Sequence, residues 1–271
     1  MLYMIGLGLG NEKDITLQGL EAIKESDYVF YENYTSISSN LKGLQELTKK
    51  EFILSDRNLV ESNSESILEK AIKQKVSFLV IGDVFGATTH TDLFLRATKK
   101  GIKIKIINNA SIINVVGNTG LELYRFGQTT SIVFDDDNWL PDTPYNVIKN
   151  NKEKGLHTLC LLDIKTAEPS TENLRKGINK PEPARFMTIN QGIEILEKLE
   201  QKNKQNIINK DTQIIGIARI GTNTQIIKPG TIEELKKQDF GEPLHSIIIP
   251  GNMHDIEREM LEYYKNNQNV Y

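Results

Sequence analysis

The sequence predicts an α/β protein of two α/β domains, and three observations predict it. In the first ~115 residues, short apolar runs rich in β-branched residues alternate with helix-length periodic segments, the arrangement of parallel βαβ units. Those runs end on Gly, Asp, Asn or Ser, as strands do when they open onto a ligand crevice. Beyond them the pattern changes to short apolar strands with polar connectors, and 271 residues divide more naturally into two modest domains than one. We place the boundary within Gly117–Gly127, giving an N-terminal α/β domain over 1–117 and a C-terminal one over 118–271.

Taken in order, Leu2–Ile5 is a strand that runs into the glycine turn Gly6-Leu7-Gly8-Leu9-Gly10. A helix follows from Leu17 to Glu25, started by Asp14 or Thr16, with Leu17, Leu20 and Ile23 as its apolar face. Tyr28–Glu32 and Lys50–Leu54 are the next strands, separated by the Ser-rich turn 35–40 and a short amphipathic helix. Asn63–Gln74 reads as a helix presenting Ile67, Leu68 and Ile72, and it delivers the chain to the Phe78–Ile81 strand. Gly101–Ile107 alternates strongly and ends on Asn108-Asn109-Ala110-Ser111-Ile112, so three strand-end loops should converge on one crevice. In the second half Thr130–Phe134, Thr158–Ile164, Gln213–Arg219 and Leu244–Ile249 read as strands, with helices over Tyr145–Lys154, Asn190–Gln201 and Asp255–Asn266. The Lys- and Asn-rich stretch 200–211 reads as a solvated helix end and loop.

Composition excludes several classes. A net charge of -3 gives no electrostatic footprint for nucleic acid. No apolar run approaches membrane-spanning length, and Met1 leads almost directly into a strand without a basic leader, so a cytoplasmic protein is expected. The single Cys160, in Thr158-Leu159-Cys160-Leu161-Leu162, reads as a packed thiol. Four His and one Cys at scattered positions show no metal-ligand spacing.

The chemistry concentrates in Gly82-Asp83-Val84-Phe85-Gly86-Ala87-Thr88-Thr89-His90, a loop rich in directed polar groups behind a buried strand. The plain alternative is a turn with Thr88 or Thr89 capping a helix through Leu93 to Lys99. A dinucleotide site built on Gly6 to Gly10, with Glu32 as the ribose acid, fails on spacing: the third-glycine position holds Asn11 or Lys13. Gly6, Gly8 and Gly10 instead let a bound group lie flat against the strand end, where Leu9 presents main chain.

These blocks, with Leu159–Lys165, Glu182–Met187, Gly216–Gly221 and Pro243–Ser246, follow one another in an order that resembles diphthine synthases of the tetrapyrrole-methylase-like S-adenosylmethionine methyltransferases. The resemblance covers essentially the whole chain, and Phe85-Gly86 is similar to the eukaryotic branch. Departures are Val84 and Ala184, where the family commonly has Pro; both bear on loop rigidity. The resemblance implies a homodimer with S-adenosylmethionine in a cleft between the two domains, leaving as S-adenosylhomocysteine. Carried over, the cofactor contacts are Leu9, Asp83, Gly86, Ser111, Ile112, Leu162, Ile220 and His245.

It further implies methylation of the 3-amino-3-carboxypropyl-modified histidine of translation elongation factor 2 in diphthamide synthesis, continuing in the eukaryotic branch to diphthine methyl ester. The alternatives are trimethylation only, or a tetrapyrrole methylase acting on precorrin or uroporphyrinogen. Transfer from a sulfonium releases a neutral group, so no nucleophile, base and acid trio is expected. Lys165, Arg185 and Arg219 are candidates for the substrate carboxylate. His90 and His157 read as structural, and Trp139 with Asp135–Asp137 as an exposed loop.

Overall fold

The computed structural model describes residues 1–34, 41–136, 139–166, 177 and 182–267. The chain divides into two compact units, Met1–Val115 and Val116–Tyr271. The sequence reading had put the division at 117/118.

In the first unit the strands β1 (Leu2–Gly6), β2 (Tyr28–Glu32), β3 (Ile53–Ser55), β4 (Val76–Val80) and β5 (Ile104–Ile107) pair in parallel in the order β3-β2-β4-β1-β5. Successive side chains of a strand point to opposite faces, and here both faces are covered. Leu2, Met4, Val76, Phe78 and Val80 pack with Ile67, Leu68 and Ala71 of α3 (Glu65–Lys73) and Leu93 and Ala97 of α4 (Thr91–Lys99). Tyr3, Ile5 and Leu79 pack on the other side with Ala22 and Ile23 of α1 (Leu17–Glu25) and Leu44 of α2 (Leu41–Thr48). Thr16 caps α1 by accepting the Gly19 N–H at 3.0 Å. Leu17 and Ile72, read as core-facing, are exposed; α1 buries Gly19, Ala22 and Ile23, and α3 turns Ala71 inward.

The second unit has a mixed sheet, β11-β10-β12-β7-β6. Its strands are β6 (Thr130–Ile132), β7 (Thr158–Leu162), β10 (Gln213–Ala218), β11 (Ile226–Thr231) and β12 (His245–Ile249); β6 and β7 are parallel and the other pairs antiparallel. A two-stranded ribbon, β8 (Ile164–Lys165) with β9 (Arg185–Phe186), continues from β7. The helices are α5 (Ile112–Val115), which closes the first unit, then α6 (Thr143–Glu153), α7 (Ile189–Asn203), α8 (Ile232–Leu235) and α9 (Asp255–Asn266). Thr188 and Gln191 form a capping box at the start of α7. The stretch 200–211 is more ordered than a solvated loop, because the Glu200 carboxylate accepts the N–H groups of Asn206, Ile207 and Ile208 at 2.7 to 2.8 Å and Ile208 is buried.

Cys160 is fully buried, and desolvation pushes its thiol up to about 12. It should stay inert to iodoacetamide in the native protein and react once denaturant unfolds the second unit; rapid native labelling would contradict this packing. Glu257, almost fully buried, accepts Nε2–H of buried His157 at 3.1 Å and the N–H groups of Glu122 and His254 at 2.9 and 2.7 Å. The His157 tautomer follows from Nδ1, which accepts the Gly251 N–H at 2.9 Å. Removing this carboxylate strands three donors, so Glu257→Ala should cost about 3 kcal/mol or more of stability in denaturant titration, whereas Glu257→Gln should recover part of it.

Candidate active site

Strand order locates a candidate site in the first unit. β1 and β4 are neighbours, yet the helices that follow them, α1 and α4, cover opposite faces of the sheet. That divergence opens a crevice beyond the carboxyl ends of the two strands, the place where open α/β sheets bind ligands. Gly6–Gly10 and Gly82–Ala87 are the loops at that point, and 108–111, after β5, is the third.

Hydrogen bonds draw the three together. Gly8 and Gly82 exchange N–H···O bonds of 3.1 and 2.8 Å, both at positive φ. Asn109 donates through Nδ2 to Gly6 O at 3.1 Å and to Asp14 O at 3.0 Å, linking the third loop to the first. The second and third loops are joined by Asp83: Oδ1 accepts Phe85 N–H at 2.9 Å, and Oδ2 accepts Asn109 N–H at 2.9 Å and Asn108 Nδ2–H at 3.0 Å. Burial opposes ionisation of Asp83, but bonds from Phe85, Asn109, Asn108 and Gly86 outweigh it and hold the carboxyl below its ordinary value.

Leu9, Asp83, Gly86, Ser111 and Ile112 therefore stand around one set of loops. Leu9 Cδ2 and Ser111 Cβ would both lie within 3.7 Å of a Cβ on Gly82, and a Cβ on Gly86 would fall 2.4 Å from Ser111 Oγ. Ser111 opens α5, its O accepting the N–H groups of Asn114 and Val115. Ala87 has φ of +63°, a conformation that costs a non-Gly residue of order 1–2 kcal/mol and persists where neighbours over-determine it. Here Val84 O accepts Thr88 Oγ1–H at 2.6 Å and His90 Nδ1–H at 3.2 Å. The alternative of a Thr88 or Thr89 cap is not formed: α4 starts after His90, and Thr89 Oγ1 donates to Glu61 at 3.1 Å. His90 is buried against Phe78 and Tyr34, and desolvation lowers its pKa.

The remaining predicted residues gather at one end of the second sheet. Leu162 ends β7, His245 begins the antiparallel β12, and Ile220 lies two residues beyond Ala218, which pairs with His245. All three are buried. His245 Nδ1 accepts Ile189 N–H at 3.3 Å, so Nε2 carries the proton and donates to Glu242 O at 3.0 Å. Burial lowers its pKa, so the ring is neutral and both nitrogens are committed to the protein. Main-chain groups and the ring face are what it has left to offer a ligand.

Of the three cations considered for a carboxylate, Arg219 is spent internally. Its guanidinium donates to Phe240 O at 2.8 Å, to Glu242 O, and to Thr224 O at 3.2 Å. Lys165 and Arg185 instead meet at Asp136. Trp139 is exposed, Asp135 pairs with Lys198, and Asp137 lies outside the described residues. Among the described residues no group of His, Cys, Asp or Glu is arranged to hold a metal ion, and no helix is long and apolar enough to cross a membrane.

The family described as Tetrapyrrole (Corrin/Porphyrin) Methylases matches residues 1–236. The chain belongs to this family, and it is a methyltransferase.

Within the family the likeness is narrower. The chain is 48% identical to a diphthine methyl ester synthase of Dictyostelium discoideum over 99% of this chain and 100% of that one. It is 51% identical to that of Saccharomyces cerevisiae over 96% and 88%. A crystal structure of diphthine synthase superposes with a TM-score of 0.83 at 35% identity, covering 98% of this chain and 96% of that one. The chain belongs with the diphthine methyl ester synthases.

Two measurements test the loop assembly. Gly86→Ala should destabilise the protein by about 1–3 kcal/mol, because its methyl meets Ser111 across a gap too short for contact. Because the folded pKa of Asp83 is depressed, its stabilisation is present above the ordinary carboxylate range and lost as pH falls through the folded value. The melting-temperature gap between wild type and Asp83→Asn should therefore narrow from about pH 7 to about pH 3; a gap that widens in acid would refute this account.

Proposed function

We propose that this chain is an S-adenosylmethionine-dependent methyltransferase of diphthamide synthesis. It methylates the 3-amino-3-carboxypropyl-modified histidine of translation elongation factor 2 and ends in diphthine methyl ester. The observation that carries the reading is the convergence of three strand-end loops at the sheet's switch point, two joined by Asp83 and the first tied in by Asn109 and Gly8, in a chain that belongs with the diphthine methyl ester synthases.

The loops suit the cofactor. Glycines at 6, 8, 82 and 86 let the three loops pack closely, Leu9 and Ile112 offer apolar surface, and Asp83 holds a fixed negative charge suited to a ligand that is cationic at sulfur. Leu162 and Ile220 would give apolar walls, and His245 a neutral ring. Bound S-adenosylmethionine would supply a methyl group on a sulfonium whose leaving group is neutral. The residues therefore have no leaving group to protonate. Their work is to position, and orientation alone can supply effective molarities on the order of 10⁵ M or more. A substrate ammonium must lose a proton before each N-methylation; a carboxylate is already a competent nucleophile.

A homodimer acting in the cytoplasm completes the reading. Supporting a covered face, Tyr124 and Ile256 of the second unit are 82% and 78% exposed, on a turn and a helix start that Glu257 ties together.

Calorimetric titration with S-adenosylhomocysteine should show micromolar binding, weakened at least about tenfold in Asp83→Ala. Mass spectrometry of elongation factor 2 bearing the aminocarboxypropyl histidine should then show four added methyl groups. A folded wild type that binds no S-adenosylhomocysteine would sink the assignment; a count stopping at three would favour diphthine as the end product.

A further inference from the structure

A methyl ester is made from a carboxylate, so an enzyme of the kind proposed above must hold one. Lys165 of β8 and Arg185 of β9 are directly opposite each other in the ribbon. Like charges so placed repel, and such a pair is tolerated when an anion bridges it. Asp136 is that anion: Oδ2 accepts from Arg185 Nη2 at 2.7 Å and from Lys165 Nζ. Both cations lie over the ring of Phe134, Arg185 at 4.6 Å and Lys165 at 5.9 Å, which fixes their direction without using their N–H donors. The three charged side chains are 39 to 45% exposed, so solvent reaches the bridge.

The ribbon is fixed to the strand ends of the candidate site. Lys165 follows Leu162 by three residues; Asp163 O accepts Met187 N–H at 2.9 Å, and its Oδ2 accepts Phe134 N–H at 3.1 Å. Two residues beyond Met187, Ile189 N–H is bonded to His245. Asp163 is thus committed to holding Phe134 under the cations. Glu182 is the other acid whose charge reaches Arg185.

Resting on the function proposed above, we infer that Lys165 and Arg185, seated on Phe134, bind the substrate's carboxylate, and that Asp136 fills this receptor until the substrate displaces it. The exchange is charge-neutral, one carboxylate for another, so the opposed cations are never left unbridged. The receptor also reads progress. An aminocarboxypropyl group keeps its negative charge through every N-methylation and loses it on esterification, so only the finished ester forfeits the grip of the two cations.

The test uses the full chain with elongation factor 2 carrying the unmethylated aminocarboxypropyl histidine. Arg185→Met and Lys165→Met should each raise KM for the factor about 10- to 100-fold, the worth of a charge-assisted bond. S-adenosylhomocysteine affinity should stay within twofold of wild type, which also reports that the variants fold. Partially methylated factor should accumulate by mass spectrometry. Asp136→Asn gives the deciding sign: freeing the receptor should lower KM severalfold. If Asp136→Asn raises KM as the cation variants do, the three residues only brace the ribbon and the inference falls; it falls equally if the cation variants leave KM and methyl count unchanged. No turnover by wild type would instead overturn the methyltransferase reading, and this inference with it.

Discussion

The Asp83 carboxylate holds the first unit's functional end together. A crevice lies beyond the carboxyl ends of these parallel strands, and the loops there have no sheet partner to order them. Here one anion at the end of β4 collects donors from its own loop and from the one after β5, while Asn109 carries the connection on to Gly6 and Asp14. The Gly8 and Gly82 exchange closes the set. The left-handed backbone at Ala87 is sustained by this scaffold, since Val84 O is fixed by two side chains at once. An ordered arrangement of main chain exists before any ligand enters, which is the economical way to bind one.

The second unit solves a different problem by related means. Its strand ends are organised by fully committed polar groups: His245 uses both ring nitrogens on the protein, and Arg219 turns its guanidinium onto carbonyls of its own loops. On the ribbon, Lys165 and Arg185 keep their charge facing solvent over the ring of Phe134.

Much of this was readable from the residues, for identifiable reasons. The runs Val76–Val80 and Tyr28–Glu32 announce buried strands because both faces of a parallel sheet are covered, and apolarity then needs no alternation. Asp255–Asn266 is legible because an acidic first turn and a Glu at its third position mark a helix start. β11 has no counterpart in the sequence reading, because Pro229 and Gly230 interrupt its apolar run; its place at the sheet's edge lets proline stay in a strand. Leu17 was misread because helical periodicity gives a face but not which end of it the neighbouring strand covers. The alternative of a Thr88 or Thr89 cap does not hold, because the Thr88 hydroxyl is bonded to Val84 O and the Thr89 hydroxyl to Glu61 while the helix starts after His90. Among Lys165, Arg185 and Arg219 the sequence had no means to choose, because what separates them is the carbonyls that the folded chain brings to Arg219 and the acid it brings to the other two.

Pro229 has a consequence for behaviour in a crowded solution. It pairs with Ile215 on the inner side of β11, so the N–H it lacks is one that would have pointed outward. Among the described residues this is the outer strand of the sheet, so its outer side carries a missing donor, beside the charged Lys228, in a strand that also bears Ile226 and Ile227. A passing extended chain that tried to add itself there would find an incomplete ladder and a cation to bury. The unit thus keeps an apolar outer strand without offering a template for aggregation.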